Sequence, residues 1–579
     1  MDKRSLKARI DAAAGRVPAD VVIKNVKIVD VCSSSIIEGK SIAVKDGYIA
    51  GIGDYDGIRV IDAQGRYAAP GFIDSHIHIE SSYVTPEEIG RLLVPHGTTT
   101  IIADPHEIVN ICGMEGMNYM LEASKGTMLD ILYMLPSCVP ATPFEHTGAV
   151  IDAEAMAEPL RDPRILGLGE FMDYIGVIDA NDAVLDKLMA ALGEGKLIDG
   201  HSPALTGKGL NAYAVGGIHT DHECSTPQEM LERISMGMYV LMRQGSACHD
   251  LRNLLKAVTP TNSRRCLLCS DDRQPETIFR QGHLDDHLRI CVQEGIDPIT
   301  AIQMASLNAA ECFGLRDRGA VAPGLRADIV LLDDLKQFKV HKVFIKGEEA
   351  ASGGRYLQEV RRCDISSVQG SFHVKDFSIK KLELKLKSNR VNVIDILPGG
   401  VVTAKGIAEV ELDDDGAFVW QPGSDIVKAA VVERHHGTGN VGLALIRGYG
   451  IRSGAVALSI AHDSHNIITV GTNDPDMALA VEKLVEQGGG IILVKDGAVI
   501  GSMPMTVGGI MTDQTGEWVS EKLSQIHEDA YLRLGISSEV EPVMTLCFMS
   551  LPVIPELKLT DMGLFDVSKA RFIPVEADQ

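Results

Sequence analysis

Between Gly71 and about Gly314, short apolar runs with strand character alternate with longer stretches of helical character. The apolar runs are TTTIIADP, DILYMLPSC, ILGLGEF, LIDGHSP and CLLCSDD. Strands that alternate with helices build a parallel sheet, and a (β/α)8 barrel has a usual size of about 250 residues. We therefore predict an α/β fold in which a TIM-like (β/α)8 barrel occupies residues 70–318.

Strand-like segments flank the predicted barrel on both sides. VVIKNVKIVD, SIAVKDGYIAGIG and IRVIDAQG precede it, and ADIVLLDDL and KVFIKGE follow it. The simplest arrangement is one small β domain built from residues 1–69 and 319–360, with the barrel inserted in it. In residues 361–579, the runs GAVALSIAHDSHNIITVGTND and MALAVEKLVEQGGGIILVKDG read as strand, helix and strand. This pattern predicts a separate C-terminal α/β domain.

Composition narrows the class of partner. The chain has 579 residues and a formal net charge of -24, with no block of Lys and Arg. This balance argues against nucleic acid or an anionic membrane as the main partner and leaves small neutral or cationic ligands open. Eleven irregularly spaced cysteines, with no signal-peptide pattern at MDKRSLKARIDAAAG, indicate reduced thiols in a cytoplasmic protein. No apolar run approaches the roughly 20 residues of a membrane span.

The run PGFIDSHIHIESS places His76 and His78 one residue apart at the end of a predicted strand. Because side chains two positions apart share a face of a strand, the two imidazoles can bind one metal ion. Taken alone, the pair fits equally well two histidines that are satisfied by core hydrogen bonds or are exposed.

Further possible metal ligands end later strand-like runs, where barrel enzymes place their chemistry. They are Glu170, His201, His222 and Asp271. With His76 and His78 they make six nitrogen and oxygen ligands, and one acid placed to bridge would let them hold two divalent cations. The mixed imidazole and carboxylate set suits Zn, Mn or Fe(II).

These residues, in this order, resemble the amidohydrolase superfamily. Within it, the runs HIHIESS, ADPHE, GHSP, DHE, MRQGSA and CSDDRQP are similar to the adenine deaminase family. The similarity extends through SIAHDSHN in the C-terminal segment, so it covers essentially the whole chain. Many members of the superfamily carry a carboxylated lysine at the corresponding position. This sequence has Glu170 there instead, so no lysine modification is required.

The resemblance implies a role for each ligand. His76 and His78 would bind one metal, His201 and His222 the other, and Glu170 both. Asp271 would bind the first metal and contact a bridging hydroxide. His219 competes with His222 as a ligand, and the similarity of DHE to the family decides for His222.

The activity that the resemblance implies is hydrolytic deamination of adenine to hypoxanthine and ammonia by a metal-bridging hydroxide. The cofactors would be two divalent ions per chain, with Mn²⁺ or Fe²⁺ favoured and Zn²⁺ compatible. Asp271 would take the proton of the hydroxide and help deliver it to the departing ammonia. We expect a homo-oligomer, with a dimer favoured.

Several polar residues near the predicted metal ligands have more than one possible role. Glu80, His106 and Glu223 are predicted catalytic residues that hydrogen-bond the purine nitrogens or relay protons, or they orient a ligand histidine. Ser81 and Arg243 are predicted substrate-binding residues, although Arg243 could instead fix a loop by an ion pair.

The C-terminal segment contains a second polar group, His435 and His436 together with His462 and His465. Three interpretations stay open from the sequence. The four histidines close over the barrel mouth, bind another metal, or belong to an ordinary surface loop.

Three rival functions fit parts of the sequence less well. His78-Ile-Glu80 and Cys266-Leu-Leu-Cys269 superficially match zinc cytidine-type deaminases. Arg265 stands where that motif has Pro, and the two halves lie too far apart. A cyclic amidohydrolase acting on a hydantoin-like ring would use the same metal centre, but Glu170 and the long C-terminal segment argue against it. A metal-free scaffold is disfavoured because every expected ligand is present.

Overall fold

The computed structural model describes residues 2–397 and 402–577. It begins with helix α1 (Lys3–Ala13), whose first turn is capped by the Asp2 carboxylate accepting from the Ser5 amide. Seven short strands follow: β1 (Ala19–Lys24), β2 (Lys27–Asp30), β3 (Ser35–Ile37), β4 (Ser41–Lys45), β5 (Tyr48–Gly53), β6 (Gly57–Asp62) and β7 (Tyr67–Pro70). Strands β5, β4, β1 and β6 form a four-stranded sheet in that order.

Eight parallel strands come next: β8 (Phe72–Ile77), β9 (Thr98–Ala103), β10 (Asp130–Leu135), β11 (Ile165–Phe171), β12 (Leu197–Gly200), β13 (Thr220–Asp221), β14 (Tyr239–Arg243) and β15 (Cys266–Cys269). The first five form one sheet and the last three another. Parallel bridges Ile198–Ile218 and Ile77–Asp271 connect the two sheets at both edges. Every side chain of β8 and β9 is buried, as expected for strands covered on both faces. This part of the chain is a TIM-like α/β domain, as the alternation predicted.

Twelve helices accompany these strands: α2 (Pro86–Leu93), α3 (His106–Ala123), α4 (Ala153–Met156), α5 (Tyr174–Ile178), α6 (Asp182–Gly193), α7 (Gly207–Val215), α8 (Pro227–Ser235), α9 (Leu251–Leu254), α10 (Pro275–Gln281), α11 (Leu284–Gln293), α12 (Pro298–Met304) and α13 (Leu307–Cys312). Local sequence explains several starts. Thr226 and Glu229 form a capping box at α8, and Asp297 caps α12 ahead of Pro298.

Four strands return after the barrel: β16 (Ile329–Leu332), β17 (Val340–Ile345), β18 (Glu348–Ser352) and β19 (Arg355–Tyr356). They join β7, β2 and β3 in one seven-stranded sheet with the order β19-β18-β17-β16-β7-β2-β3. Side chains from both flanks share a small apolar core, in which Ile28 packs with Ile329 and Phe344. Segments on either side of the barrel therefore build one sheet.

The C-terminal segment contains β20 (Arg390–Ile396), β21 (Thr403–Glu409), β22 (Ile426–Val432), β23 (Val441–Arg447), β24 (Ala455–Leu458), β25 (Ile467–Gly471), α14 (Asp474–Gln487), β26 (Gly490–Lys495), β27 (Ala498–Pro504), α15 (Gly516–Asp529), α16 (Met544–Cys547), β28 (Leu557–Thr560), β29 (Gly563–Asp566) and β30 (Arg571–Phe572). The predicted strand, helix and strand correspond to β25, α14 and β26. Within the described residues, however, the eight-stranded sheet is antiparallel except where β20 pairs with β23.

The C-terminal segment packs against the barrel helices. Arg91 of α2 forms an ion pair with Glu517 of α15, and the Gly516 amide donates to the buried Glu88 carboxylate. One large apolar core contains residues of both parts of the chain. Among the described residues, no helix is both long enough and apolar enough to cross a membrane. All eleven cysteines are free thiols.

Candidate active site

The structure brings the six predicted metal ligands together at the carboxyl ends of the barrel strands. His76 lies in β8 and Glu170 in β11, and the other four follow the ends of their strands: His78, His201, His222 and Asp271. All are buried except His201, which is partly buried. The shared edge of a parallel sheet explains why residues almost 200 positions apart in sequence converge.

His76 and His78 face one another through their Nε2 atoms, which lie 3.1 Å apart. The Nδ1 of His76 lies 3.0 Å from an Asp199 carboxylate oxygen, and the Nδ1 of His78 lies 2.9 Å from the Asp104 carbonyl oxygen. Both partners only accept, so each Nδ1 donates its hydrogen there and Nε2 is the ring nitrogen that is left to bind a cation. Two such nitrogens that face each other fit a shared cation.

Glu170 lies between the two groups of histidines. Its Oε2 is 2.8 Å from His201 Nδ1 and 3.1 Å from His222 Nε2, while its Oε1 is 3.5 Å from His78 Nε2. The Glu170 amide donates to the Asp104 carboxylate at 2.8 Å. A side chain at Gly169 would collide with that carboxylate, so the glycine permits this support. One carboxylate oxygen thus faces each histidine pair.

Asp271 completes the ligand set from the end of β15. Its Oδ1 lies 3.3 Å from His78 Nε2 and 3.7 Å from His76 Nε2. Its Oδ2 lies 3.2 Å from the Arg243 guanidinium. The backbone of Asp271 has a φ of 57°, a left-handed conformation that Asp tolerates better than most residues. Backbone conformations of this kind cluster at functional sites.

The charges in this cluster support one another. Burial disfavours the charged form of His222, but the Glu170, Asp271 and Glu223 carboxylates raise its pKa to about 10. Burial also opposes ionisation of Asp271, yet the adjacent imidazoles and guanidinium hold its carboxyl pKa well below the usual range. Carboxylates that stay ionised in a buried site attract cations. The donor set and its geometry therefore fit a divalent metal.

The predicted catalytic residues other than Asp271 lie in two different places relative to the cavity. His106 Nδ1 lies 3.2 Å from Glu170, and Glu223 lies 3.5 Å from His222 Nε2, so both contact predicted metal ligands. Glu80 is buried and its Oε1 accepts from the Ile108 amide at 3.2 Å. Among the described residues that line the cavity at this site, His106 and Glu223 are present and Glu80 is not.

The two predicted substrate-binding residues make protein contacts. Arg243 donates to Glu223, to Asp250 at 2.7 Å and to Asp271. The Ser81 hydroxyl donates to Glu107 at 3.1 Å and to Asp272. Arg243 thus forms ion pairs, as one of its two interpretations predicted, and it also lines the cavity. Substrate contact by either residue stays a prediction.

The structure also decides between alternatives left open by the sequence. His219 precedes β13 and packs on the Tyr239 ring, so it lies at the opposite end of the strand from His222. Cys266 and Cys269 are buried within β15 and pack in apolar clusters. The surface-loop interpretation of the C-terminal histidines is wrong for His435, His462 and His465, because all three are buried.

A cavity of about 430 Å³ opens above the ligand cluster. Its floor is polar, and its roof comes from the C-terminal segment: Phe548, Leu551, Val553, Ile554 and Pro555. Phe548 stacks on His462 with ring centroids 4.7 Å apart. Of these features, the sequence pointed only to the histidines of this segment as possible cover for the barrel mouth. The apolar roof was missed, because no local motif marks it.

Sequence reasoning also missed the residues that orient the ligands. Asp104 and Asp199 hold His78 and His76, and Glu107 faces the cavity beside His106. The sequence contained signals for these residues, since Asp104 and Glu107 lie in the ADPHE run and Asp199 lies near the end of β12, two residues before His201.

Comparison with known proteins agrees with this geometry. The amidohydrolase family model matches residues 67–350, and the model of the adenine deaminase C-terminal domain matches residues 400–571. The barrel and its histidine and carboxylate cluster thus define a protein of the amidohydrolase class.

Curated relatives narrow the class further. The chain is 63% identical to adenine deaminase 2 of Desulfotalea psychrophila over 577 residues, covering 100% of both chains. It is 51% identical to the adenine deaminase of Ligilactobacillus salivarius, again over 100% of both. A solved beta-aspartyl dipeptidase from Fervidobacterium islandicum AW-1 is 17% identical, with 58% of this chain and 99% of that chain covered and a TM-score of 0.46. The chain belongs to the adenine deaminase family.

Proposed function

We propose that this protein hydrolyses adenine to hypoxanthine and ammonia. The observation that carries the proposal is the ligand cluster, in which Glu170 faces both histidine pairs at the floor of the cavity. Full-length relatives named adenine deaminase support the same substrate. A cyclic amidohydrolase is not favoured, because the C-terminal segment matches the adenine deaminase C-terminal domain and the full-length relatives are named adenine deaminase.

We infer that the cluster holds two divalent cations. His76, His78 and Asp271 would hold one, His201 and His222 the other, and Glu170 both. Two cations bound there would lower the pKa of a bound water and so supply hydroxide at neutral pH. Mn²⁺ or Fe²⁺ is favoured and Zn²⁺ is compatible.

The side chains divide the proton transfers. Water adds across the C6–N1 bond of adenine, so that its oxygen bonds to C6 and one of its protons goes to N1. The bond from C6 to the exocyclic nitrogen then breaks, and that nitrogen leaves as ammonia. Asp271, kept ionised by its cationic neighbours, accepts the second proton of the water and delivers it to the leaving nitrogen, so that C6 becomes the carbonyl carbon of hypoxanthine. Glu223 and His106 line the same cavity, where they can hydrogen-bond the purine nitrogens or relay a proton.

The metal count is tested by elemental analysis after reconstitution of the metal-free protein. We expect full activity only at about two equivalents of Mn²⁺ or Fe²⁺ at this centre. Full activity with a single equivalent would reject the two-ion arrangement.

The substrate is tested by a panel of adenine, adenosine and hydantoin, with detection of ammonia and of ring opening. The cavity is near the lower end of the ~300–1,000 Å³ range of small-molecule sites, and the C-terminal segment covers it. We therefore expect free adenine to be used much better than adenosine. Comparable kcat/KM values for base and nucleoside, or opening of the hydantoin ring, would contradict the proposal.

The same proposal includes the domain organisation. Residues 1–69 and 319–360 would fold as one β domain around the barrel of residues 70–318, followed by the segment 361–579. The shared seven-stranded sheet supports the first part. We also propose a homodimer, which light scattering during size-exclusion chromatography tests.

A further inference from the structure

A second group of buried ligands lies beside the proposed centre, where the barrel meets the C-terminal segment. Glu107 comes from the first turn of α3, and His462 and His465 come from the connection between β24 and β25. Glu107 Oε1 lies 3.5 Å from His462 Nδ1, and Glu107 Oε2 lies 3.8 Å from His465 Nε2. One ligand atom from each residue lies within 4.8 Å of the other two.

These separations are too long for hydrogen bonds, whose nitrogen to oxygen distances are about 2.7–3.2 Å. They are close to the ~3.4 Å that separates two ligands of a tetrahedral ion with bonds of ~2.1 Å. The three side chains therefore converge without bonding one another. A shared cation accounts for this spacing better than a hydrogen-bonded network does.

His465 provides the independent observation. Its side chain has no exposed surface, and neither of its ring nitrogens has a hydrogen-bond partner among the described residues. An unpaired buried polar group is unfavourable, and a bound cation would give one of these nitrogens a partner.

We propose that Glu107, His462 and His465 bind a further divalent cation, separate from the pair at the proposed centre. Two imidazoles and a carboxylate suit Zn²⁺, Mn²⁺ or Fe²⁺, and three protein ligands leave a position for water. Because Glu107 belongs to the barrel and both histidines to the C-terminal segment, the ion fastens these two parts together. His462 stacks on Phe548, so the ion also fixes the cavity roof.

The first test is the metal content of the full-length protein after saturation with Zn²⁺ and removal of the unbound excess. We expect about three equivalents for the wild type and about two for His465→Asn. His436→Asn is the matched control, since His436 also bonds to the barrel, 2.7 Å from the Thr147 carbonyl oxygen, but lies outside the cluster. This control should keep all three. Equal content in wild type and His465→Asn would overturn the proposal.

Two measurements keep this test independent of the proposed function and of folding. Glu170→Gln should lose the pair at the centre and keep about one equivalent, which separates the two sites. Anomalous diffraction from Zn²⁺-soaked wild-type crystals should show a peak among Glu107, His462 and His465. A map with peaks at the proposed centre and none in this cluster would overturn the inference, even if His465→Asn failed to fold.

Discussion

The Nδ1 atom of His76 lies 3.0 Å from a carboxylate oxygen of Asp199, and both side chains are 1% exposed. The other oxygen of Asp199 accepts from the Gly200 amide at 2.9 Å and from the Thr220 hydroxyl. The carboxylate is therefore fixed by β12 and β13, and it fixes the His76 ring in turn. A carboxylate behind a histidine ligand sets its tautomer and raises its basicity.

Asp199→Asn should weaken metal binding at the centre about 10–100-fold, the usual effect of removing such a partner. The amide keeps the size of the side chain but removes the charge that supports His76. Competition with a chelator of known affinity measures the change. Asp186→Asn, an exposed residue of α6, is the control and should leave affinity unchanged. Unchanged affinity in Asp199→Asn would mean that the contact only positions the ring.

Asp271→Asn should abolish turnover while at least one metal stays bound. An amide oxygen still binds a cation but cannot accept a proton, and acid-base steps contribute roughly 10²–10⁴-fold. Glu170→Gln should lose metal as well as rate, because it removes the negative charge between two cations. Metal content and kcat are measured on the same samples. If Asp271→Asn kept more than about a tenth of wild-type kcat, Asp271 would be a ligand only, and the proton carrier would be sought at Glu223 or His106.

Arg243→Gln should shift the acid limb of the kcat/KM profile upward by about one pH unit. The guanidinium contacts Asp271 and helps hold its pKa down, so removing it makes the carboxylate easier to protonate. Arg252→Gln, which removes an exposed ion pair with Glu294, serves as the control. A raised KM without any shift of the profile would instead assign Arg243 to substrate contact, the other role that the sequence allowed.

The sequence was informative wherever a residue's role follows from its place on a strand. His78, His201 and His222 each follow the end of a barrel strand, and parallel strands bring such ends together. Alternation of strands and helices therefore predicted both the TIM-like domain and the edge that carries the ligands. His219 shows what the strand pattern in the sequence leaves open. The bounds of β13 in the structure are needed to place His219 at the end of that strand opposite to His222.

Contacts between residues that lie far apart in the chain could not be predicted from the sequence. Glu107 meets His465 although about 360 residues separate them, and no periodicity specifies which loop covers a barrel mouth. The antiparallel order of the C-terminal sheet has the same cause, since one strand, helix and strand fits either arrangement. The partners of Arg243 likewise depend on three loops that meet only in the folded chain.

The acid stability of the protein should depend on His435, which is 7% exposed and donates from Nε2 to the Ser464 carbonyl oxygen at 2.7 Å. Burial and the neighbouring Arg434 lower its pKa to about 3. The unfolded chain, with a histidine pKa of about 6.5, binds a proton between these values that the folded chain does not. Stability therefore rises with pH across this window and is lost as pH falls below about 6.5.

His435→Gln should remove this dependence, because the glutamine amide can still donate to Ser464 but does not titrate. Between pH 7 and pH 5, the wild type should lose about 2 kcal/mol more stability than the variant does. Thermal unfolding at both pH values, with a chelator present so that metal release does not contribute, measures the difference. The variant starts less stable at pH 7, and its Tm should fall less on acidification. Equal falls in Tm would show that His435 is already protonated in the folded protein at pH 7, or stays unprotonated in both states.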